Sequence, residues 1–373
     1  MNRSLALVYL ASFGALTSFY LMLGVTPLFA VDRGYGTFGG AITTAIFMLA
    51  TVAAELLTTR VMRRIGTQQT LALGLALMTV PVFVLLLDAS LTTILLVSAV
   101  RGAGFALVVI AGSTMVADLA PEGKRGEGIG LYGVIVGIPS VFALPFGVWL
   151  VDHVGFAPLF IASGSVAVLA LVTLVVRLPV SRAQDVTGML HALRTPGVLR
   201  LAVVFCIAAL ASGLLVTYTP LGFDGSLAAL ALLASGLAST ITRWLAGRFG
   251  DRRDARLLVL PARAVAIIGI VIVLFAPSLV IVGSLLFGAS FGVLQNATIH
   301  LMFEATGPSG FGAVSAIWNI AFDTGLGLGA LSFGLLTADY SLGVAAVLLL
   351  AAIALMAFAR RSGSSASSQV TPG

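Results

Sequence analysis

The chain is short of charge. Only 9% of its 373 residues are Asp, Glu, Lys or Arg, against about 25% in a soluble globular domain. That deficit excludes a water-facing exterior along most of its length. Cysteine is reduced to Cys206, which excludes an intrachain disulfide; set in an apolar run, it reads as a structural residue. Histidine occurs only at His153, His191 and His300, and no two of these stand at a metal-ligand spacing. No Gly-Lys-Ser or Gly-Lys-Thr phosphate loop is present, so ATP-driven pumping is not expected. The expectation is no enzyme, no metal and no cofactor.

What is abundant is apolar sequence: 59% hydrophobic residues, a mean hydropathy of +1.13 and 42 glycines. With roughly 20 residues needed for each membrane crossing, the length accommodates about twelve helices and no sizeable soluble domain. Spans are expected at roughly 5–31, 39–60, 68–87, 91–117, 127–150, 156–178, 198–220, 226–247, 256–276, 279–303, 311–336 and 341–359. The first is too long for a signal peptide and is expected to be retained. Glycine in such numbers suits helices whose backbones approach closely in lipid.

The sequence repeats itself. Gly102 and Gly288, Phe105 and Phe291, and Asp118 and Glu304 are each 186 positions apart, and past the following polar loop Gly126 answers Gly310 at 184. Each copy is a long apolar helix ending in a carboxylate, then a tight loop, then a glycine-rich helix. The expected organisation is therefore a first six-helix half over 1–178, a cytoplasmic linker over 179–196, a second half over 197–361 and a disordered tail over 362–373.

The formal charge of +6 reflects topology and gives no reason to infer a nucleic-acid partner. With the N-terminus in the cytoplasm, nearly all the loop arginines fall on that side and only Arg33 lies outside. The rule that positive loops stay inside then puts both termini in the cytoplasm, with the chain a multi-pass protein of the inner (plasma) membrane.

Several spans carry polar groups. Arg101 lies about ten residues inside span 4, within Arg101-Gly102-Ala103-Gly104; an ionisable group at that depth is costly unless it faces a polar interior. Span 5 holds Gly133, Gly137, Pro139 and Pro145, where glycines four apart permit close helix contact and proline frees a carbonyl and bends the helix. Span 11 carries Asn319 and Asp323 on one face with Ser315, and a carboxylate near the midplane is a functional candidate by default. Span 10 offers Asn296 and His300, four apart. Tyr20 and Tyr218 are further candidates in spans 1 and 7, with plain packing as the alternative.

Two six-helix halves joined by a polar linker resemble the major facilitator superfamily of secondary transporters, whose substrate site lies between parallel repeats near the midplane. That family carries a loop signature, approximately Gly-x-x-x-Asp-Arg-x-Gly-Arg, after its second helix and a weaker copy after its eighth. Here the second copy is the better one, Gly247-Arg248-Phe249-Gly250-Asp251-Arg252, whereas Arg63 stands where the first copy should be acidic. The resemblance implies a fold class: an all-α membrane protein of twelve transmembrane helices in two pseudo-symmetric halves. It also implies a cytoplasmic gate of Arg60, Arg64, Asp118, Arg248, Asp251, Arg252 and Glu304. In that gate Asp118 would pair with Arg60 or Arg64, Glu304 with Arg248 or Arg252, and Asp251 would face the start of span 5. The alternative is that these arginines only fix topology.

Arg101 resembles the helix-4 arginine of proton-coupled members. A structural role, hydrogen-bonding broken backbone near Pro27, is the alternative. Span 5 is similar to the glycine-proline helix of exporters, with its Gly-Pro pair split by Ile138. Helices 1, 4, 7 and 10 surround the cavity in this family, which implies that Tyr20, Tyr218, Asn296 and His300, with Asn319, meet substrate. Asp323 is the expected proton-coupling group beside Arg101, with a static ion pair between the two as the alternative. The expected function is a proton-coupled exporter of small organic molecules, working as a monomer in the lipid bilayer, with a symporter or uniporter importing a solute such as a sugar as the other reading.

Overall fold

A computed structural model describes residues 3–120, 125–174, 189–250, 252–307 and 310–335. Every regular element among them is helical. The first span is α1 (Arg3–Leu23) and α2 (Val25–Ala30), broken at Gly24. Pro27 cannot donate to the carbonyl four residues back, which weakens the helix at that turn. A π-helical turn, Val31–Tyr35, with Gly34 at φ 86°, leads into α3 (Gly36–Ile65). Then come α4 (Thr67–Val84), α5 (Leu91–Leu119), α6 (Arg125–Val154), α7 (Phe156–Val172), the short α8 (Met189–Arg194), α9 (Val198–Gly222), α10 (Gly225–Gly250), α11 (Arg256–Phe275), α12 (Val280–Thr306) and α13 (Phe311–Leu335).

Eleven of the twelve expected spans are thus seen as helices; span 12, together with the C-terminal tail and most of the linker, lies outside the described residues. Boundaries differ from expectation by a few residues. Span 2 runs five residues further, to Ile65, with Arg63 and Arg64 in its last turn. Large apolar side chains face outward, Leu49 at 70% and Leu169 at 68% exposure, as a lipid solvent requires and water would penalise.

Two compact units are distinguished. The first gathers the described residues up to 174 with Leu215–Leu233 and Phe333–Leu335; the second gathers those from 189 to 214 and Ala234–Ser332. Within each, glycines seat the helices. A Cβ on Gly102 of α5 would lie 2.1 Å from the Phe47 carbonyl oxygen of α3, and one on Gly288 of α12 would lie 2.1 Å from the Ser235 carbonyl oxygen of α10. The duplicated glycines therefore do the same work twice. Beside them Thr51 Oγ1 donates to the Gly102 carbonyl at 3.1 Å and Thr242 Oγ1 to the Ala289 carbonyl at 2.7 Å.

Helix starts are capped where the sequence supplies short polar side chains. At α5 the Ser90 hydroxyl accepts from the Thr93 N–H, and Asp88 accepts from the Ser90 N–H at 2.9 Å, the Ser90 hydroxyl at 2.9 Å and the Thr93 hydroxyl. These donors stabilise the Asp88 carboxylate and hold its pKa below the usual 3.8. At α10 Asp224 accepts from the N–H groups of Ser226 and Leu227, both at 3.1 Å.

Candidate functional site

Arg101 sits mid-helix on α5 with 3% of its surface exposed. Its Nε donates to the Met78 carbonyl of α4 at 3.1 Å, and its Nη2 donates to the Ser18 carbonyl at 3.2 Å and Ser18 Oγ at 3.3 Å. Ser18 Oγ in turn lies 2.8 Å from Ser163 Oγ of α7. One guanidinium thus ties together α1, α4 and α5, with α7 attached through Ser163. The expected partner near Pro27 is replaced by the Ser18 carbonyl, more than two turns earlier, because Ser18 offers a hydroxyl beside that carbonyl. These hydrogen bonds of Arg101 all go to neutral acceptors within the first unit.

Aromatic rings crowd around this level in the first unit. Phe19 stacks on Phe105 with centroids 4.3 Å apart and on Phe47 at 5.3 Å. The second unit has a larger counterpart: Phe205 lies on Trp318 at 4.3 Å and on Phe291 and Phe322 at 6.0 Å each. Trp318 Nε1 donates to Thr298 Oγ1 at 3.2 Å, which fixes α13 against α12. Phe19 and Phe205 are themselves 186 positions apart.

Asp323 follows Phe322 on α13 and is 3% exposed, while Asn319 and Ser315 on the same face are half-buried. Its helix is held close to α9 by small residues: a Cβ on Gly325 would lie 2.3 Å from the Cys206 carbonyl oxygen, and one on Gly329 would lie 2.0 Å from that of Leu210. The Gly325, Gly329 run is a packing seam. Asp323 stands at the thirteenth position of this 25-residue helix, the depth at which an ionisable group is a functional candidate.

Asn296 and His300 are set against α10. A Cβ on Gly247 would lie 3.2 Å from Asn296 Nδ2, and one on Gly250 would lie 3.7 Å from His300 Nε2. His300 Nε2 is also 3.3 Å from Glu304 Oε1, one turn on. These residues are thereby brought to the loop-signature glycines and the terminal carboxylate. Glu304 shares a cleft of about 490 Å³ with Gly250, Arg252, Arg253, Asp254 and Arg256. Arg248 lies over the Trp244 ring at 4.8 Å. Arg60 and Arg64 are exposed in the last turns of α3, and Asp118 is half-buried at the end of α5. Asp251 lies outside the described residues. Tyr20 touches Phe19 at 4.8 Å; Tyr218 meets Phe223 at 5.7 Å and Phe333 at 6.0 Å.

On α6, Pro139 and Pro145 are buried, but a Cβ on Gly133 or Gly137 would meet nothing among the described residues within 4 Å. The close contact expected of this helix falls instead at Gly147, whose Cβ would lie 2.4 Å from the Leu21 carbonyl oxygen of α1. Ser18 and Ser163 were silent in the sequence, and Gly147 stood there only as the end of the Pro145-Phe146-Gly147 part of the glycine-proline stretch. Small residues are common in such helices, and only the partner across the interface marks which of them matter.

The described residues thus form membrane-length helices packed through duplicated glycine seats, with Glu55 and Arg101 buried in the first unit and Arg263 and Asp323 in the second. The chain matches the Major Facilitator Superfamily model over residues 8–330, and it belongs to that superfamily; it is a multi-pass membrane transporter. It is 26% identical over 346 residues to the uncharacterized MFS-type transporter YtbD of Bacillus subtilis (strain 168), covering 88% of this chain and 86% of that one. Among solved structures it is similar to a D-xylose-proton symporter, with a TM-score of 0.75 at 14% identity, covering 95% and 96% of the two chains. It is also similar to a bacterial homolog of the human lysosomal transporter Spinster in an inward-facing and occupied conformation, with a TM-score of 0.72 at 17% identity, covering 96% of each. At such identities the likeness concerns the fold.

Proposed function

We propose that this transporter exports small organic molecules in exchange for protons, with Asp323 as the group that binds and releases the proton. The observation that supports this reading is the burial of Asp323, 3% exposed, at the middle of the membrane-length helix α13. An ionisable group at that depth is a functional candidate for carrying a proton through the membrane. Alternate opening to the two sides then converts access into protonation and release. Arg101 is a fixed positive charge in this scheme, since a guanidinium does not deprotonate in proteins, and it holds α1, α4 and α5 in register beside the cavity. Asn319 lies one turn before Asp323 and is the nearest candidate to orient a substrate. Tyr20 and Tyr218 supply further lining.

At the cytoplasmic side, the gate comprises Arg60, Arg64, Asp118, Arg248, Asp251, Arg252 and Glu304, and we add His300 and Asn296 to it because they pack on Gly250 and Gly247. Two six-helix halves rock about this arrangement in the inner membrane, the protein acting as a monomer. One proton crossing 100 mV supplies about 2.3 kcal/mol, roughly a fortyfold gradient of a neutral substrate at one-to-one exchange.

The test is proton movement in energised inside-out vesicles challenged with cations, neutral lipophiles and sugars. A compound that collapses the pH gradient with wild type and not with Asp323→Asn supports the reading. Accumulation of a labelled solute by intact cells, with no such collapse, replaces export by uptake.

A further inference from the structure

Arg101 is a permanent charge whose hydrogen-bond partners are all neutral. A guanidinium has five N–H groups. Three are used, one on the Met78 carbonyl and two on Ser18; among the described residues the two on Nη1 have no protein partner. Burial of a cation without a counter-charge is expensive, and lost hydration has to be replaced by something other than two carbonyls and a hydroxyl.

Next to Arg101 is a cavity of about 20 Å³ between α1, α2, α3 and α5, lined among others by Thr26, Thr43, Thr44, Phe47 and Ser98. Three of its hydroxyls have given their protons to helix carbonyls: Thr26 to Met22, Thr43 to Gly40 and Ser98 to Ile94. Thr44 has no such bond among the described residues although it is 5% exposed. The cavity is therefore supplied with donors from Arg101 and Thr44 and edged by the Phe47 ring. It exceeds the roughly 10–15 Å³ that one water-sized guest needs and is far too small for an organic carboxylate with its carbon skeleton.

We propose that this cavity is a site for one small monovalent inorganic anion of halide size, which neutralises Arg101 inside the first unit. The anion accepts from Nη1 of Arg101 and from the Thr44 hydroxyl, and it stabilises the packing of α1, α3 and α5 around it. It is a structural ion, independent of the direction of transport and of the transported molecule.

The experiment measures thermal unfolding of the purified full-length chain in detergent, in sodium chloride, sodium bromide and sodium gluconate at matched ionic strength. Chloride and bromide are expected to raise Tm saturably by about 3 °C or more over gluconate. Thr44→Val, which keeps the shape of the side chain and removes the donor, is expected to lose at least half of that increment, whereas a general salt effect would be the same in both proteins. Crystals of the wild-type protein grown in bromide are expected to show an anomalous peak beside Arg101, and this arm stands even if the variant does not fold. Equal melting of wild type in halide and gluconate, an unchanged increment in a folded Thr44→Val, or the absence of a bromide peak in the cavity overturns the proposal and leaves a pocket filled by water.

Discussion

Nη2 of Arg101 donates to both the carbonyl and the hydroxyl oxygen of Ser18, so a single side chain on α5 reads two atoms of one residue on α1. This double contact fixes the rotation of α1 as well as its distance. Arg101→Lys keeps the charge but cannot span Met78 and Ser18 at once, because an ammonium lacks the planar fork. A loss of about 1–3 kcal/mol is expected from groups left unsatisfied. Ser18→Ala, which spares the carbonyl contact, is expected to cost about 1 kcal/mol. Thermal unfolding in detergent ranks the two.

Alanine at Gly102 or Gly288 drives a methyl into a backbone carbonyl that cannot swing aside. Each substitution is expected to destabilise by about 1–3 kcal/mol or more. Gly133→Ala and Gly137→Ala meet no described neighbour, and the better helix propensity of alanine makes them neutral or stabilising by up to about 1 kcal/mol. If the latter pair slows transport at unchanged Tm, α6 needs its glycines to bend, which separates a pivot from a seal.

The capped start of α5 gives a dependence on pH with a definite sign. The donors around Asp88 lower its folded pKa, so the stabilisation is complete above the unfolded value of about 3.9 and is lost as pH falls through the lower folded value. Wild type should melt above Asp88→Ala at neutral pH, and the two curves should converge in acid below that range. A gap that is constant down to the lowest measurable pH would mean that the carboxylate charge is irrelevant there. Ser90→Ala removes the cap itself and is expected to cost about 1 kcal/mol.

His300 and Glu304 are 31% and 53% exposed at their side chains, and a contact so open to solvent contributes little, of order 0–1 kcal/mol. Glu304→Gln should therefore leave Tm nearly unchanged. Its effect is expected in transport, through the gate proposed above. A variant with normal Tm and normal transport would remove Glu304 from the gate.

Apolar runs separated by arginine-bearing loops gave the helices of the described residues to within a few positions, since period and length alone mark a crossing. The duplication was legible too, at Gly102 and Gly288. What stayed hidden was the partner of each polar group. Nothing in a single sequence says that Arg101 reaches Ser18, because the pairing is set by how α1 rotates after Gly24 breaks it. Likewise the helix number of His300 does not say that Gly250 and Glu304 are among its neighbours. Four-residue spacing finds a face of a helix but not what the face meets.

The two seats at Gly102 and Gly288 have a consequence for how this chain diverged. Counting 186 positions on from Arg101 and Ser18 reaches Phe287 and Val204, so the two copies share the geometry of the joint but not its polar residues. The buried polar groups differ accordingly, with Arg101 in the first unit and Asp323 in the second. Duplication here inherited the carpentry and left the chemistry to be written separately in each half.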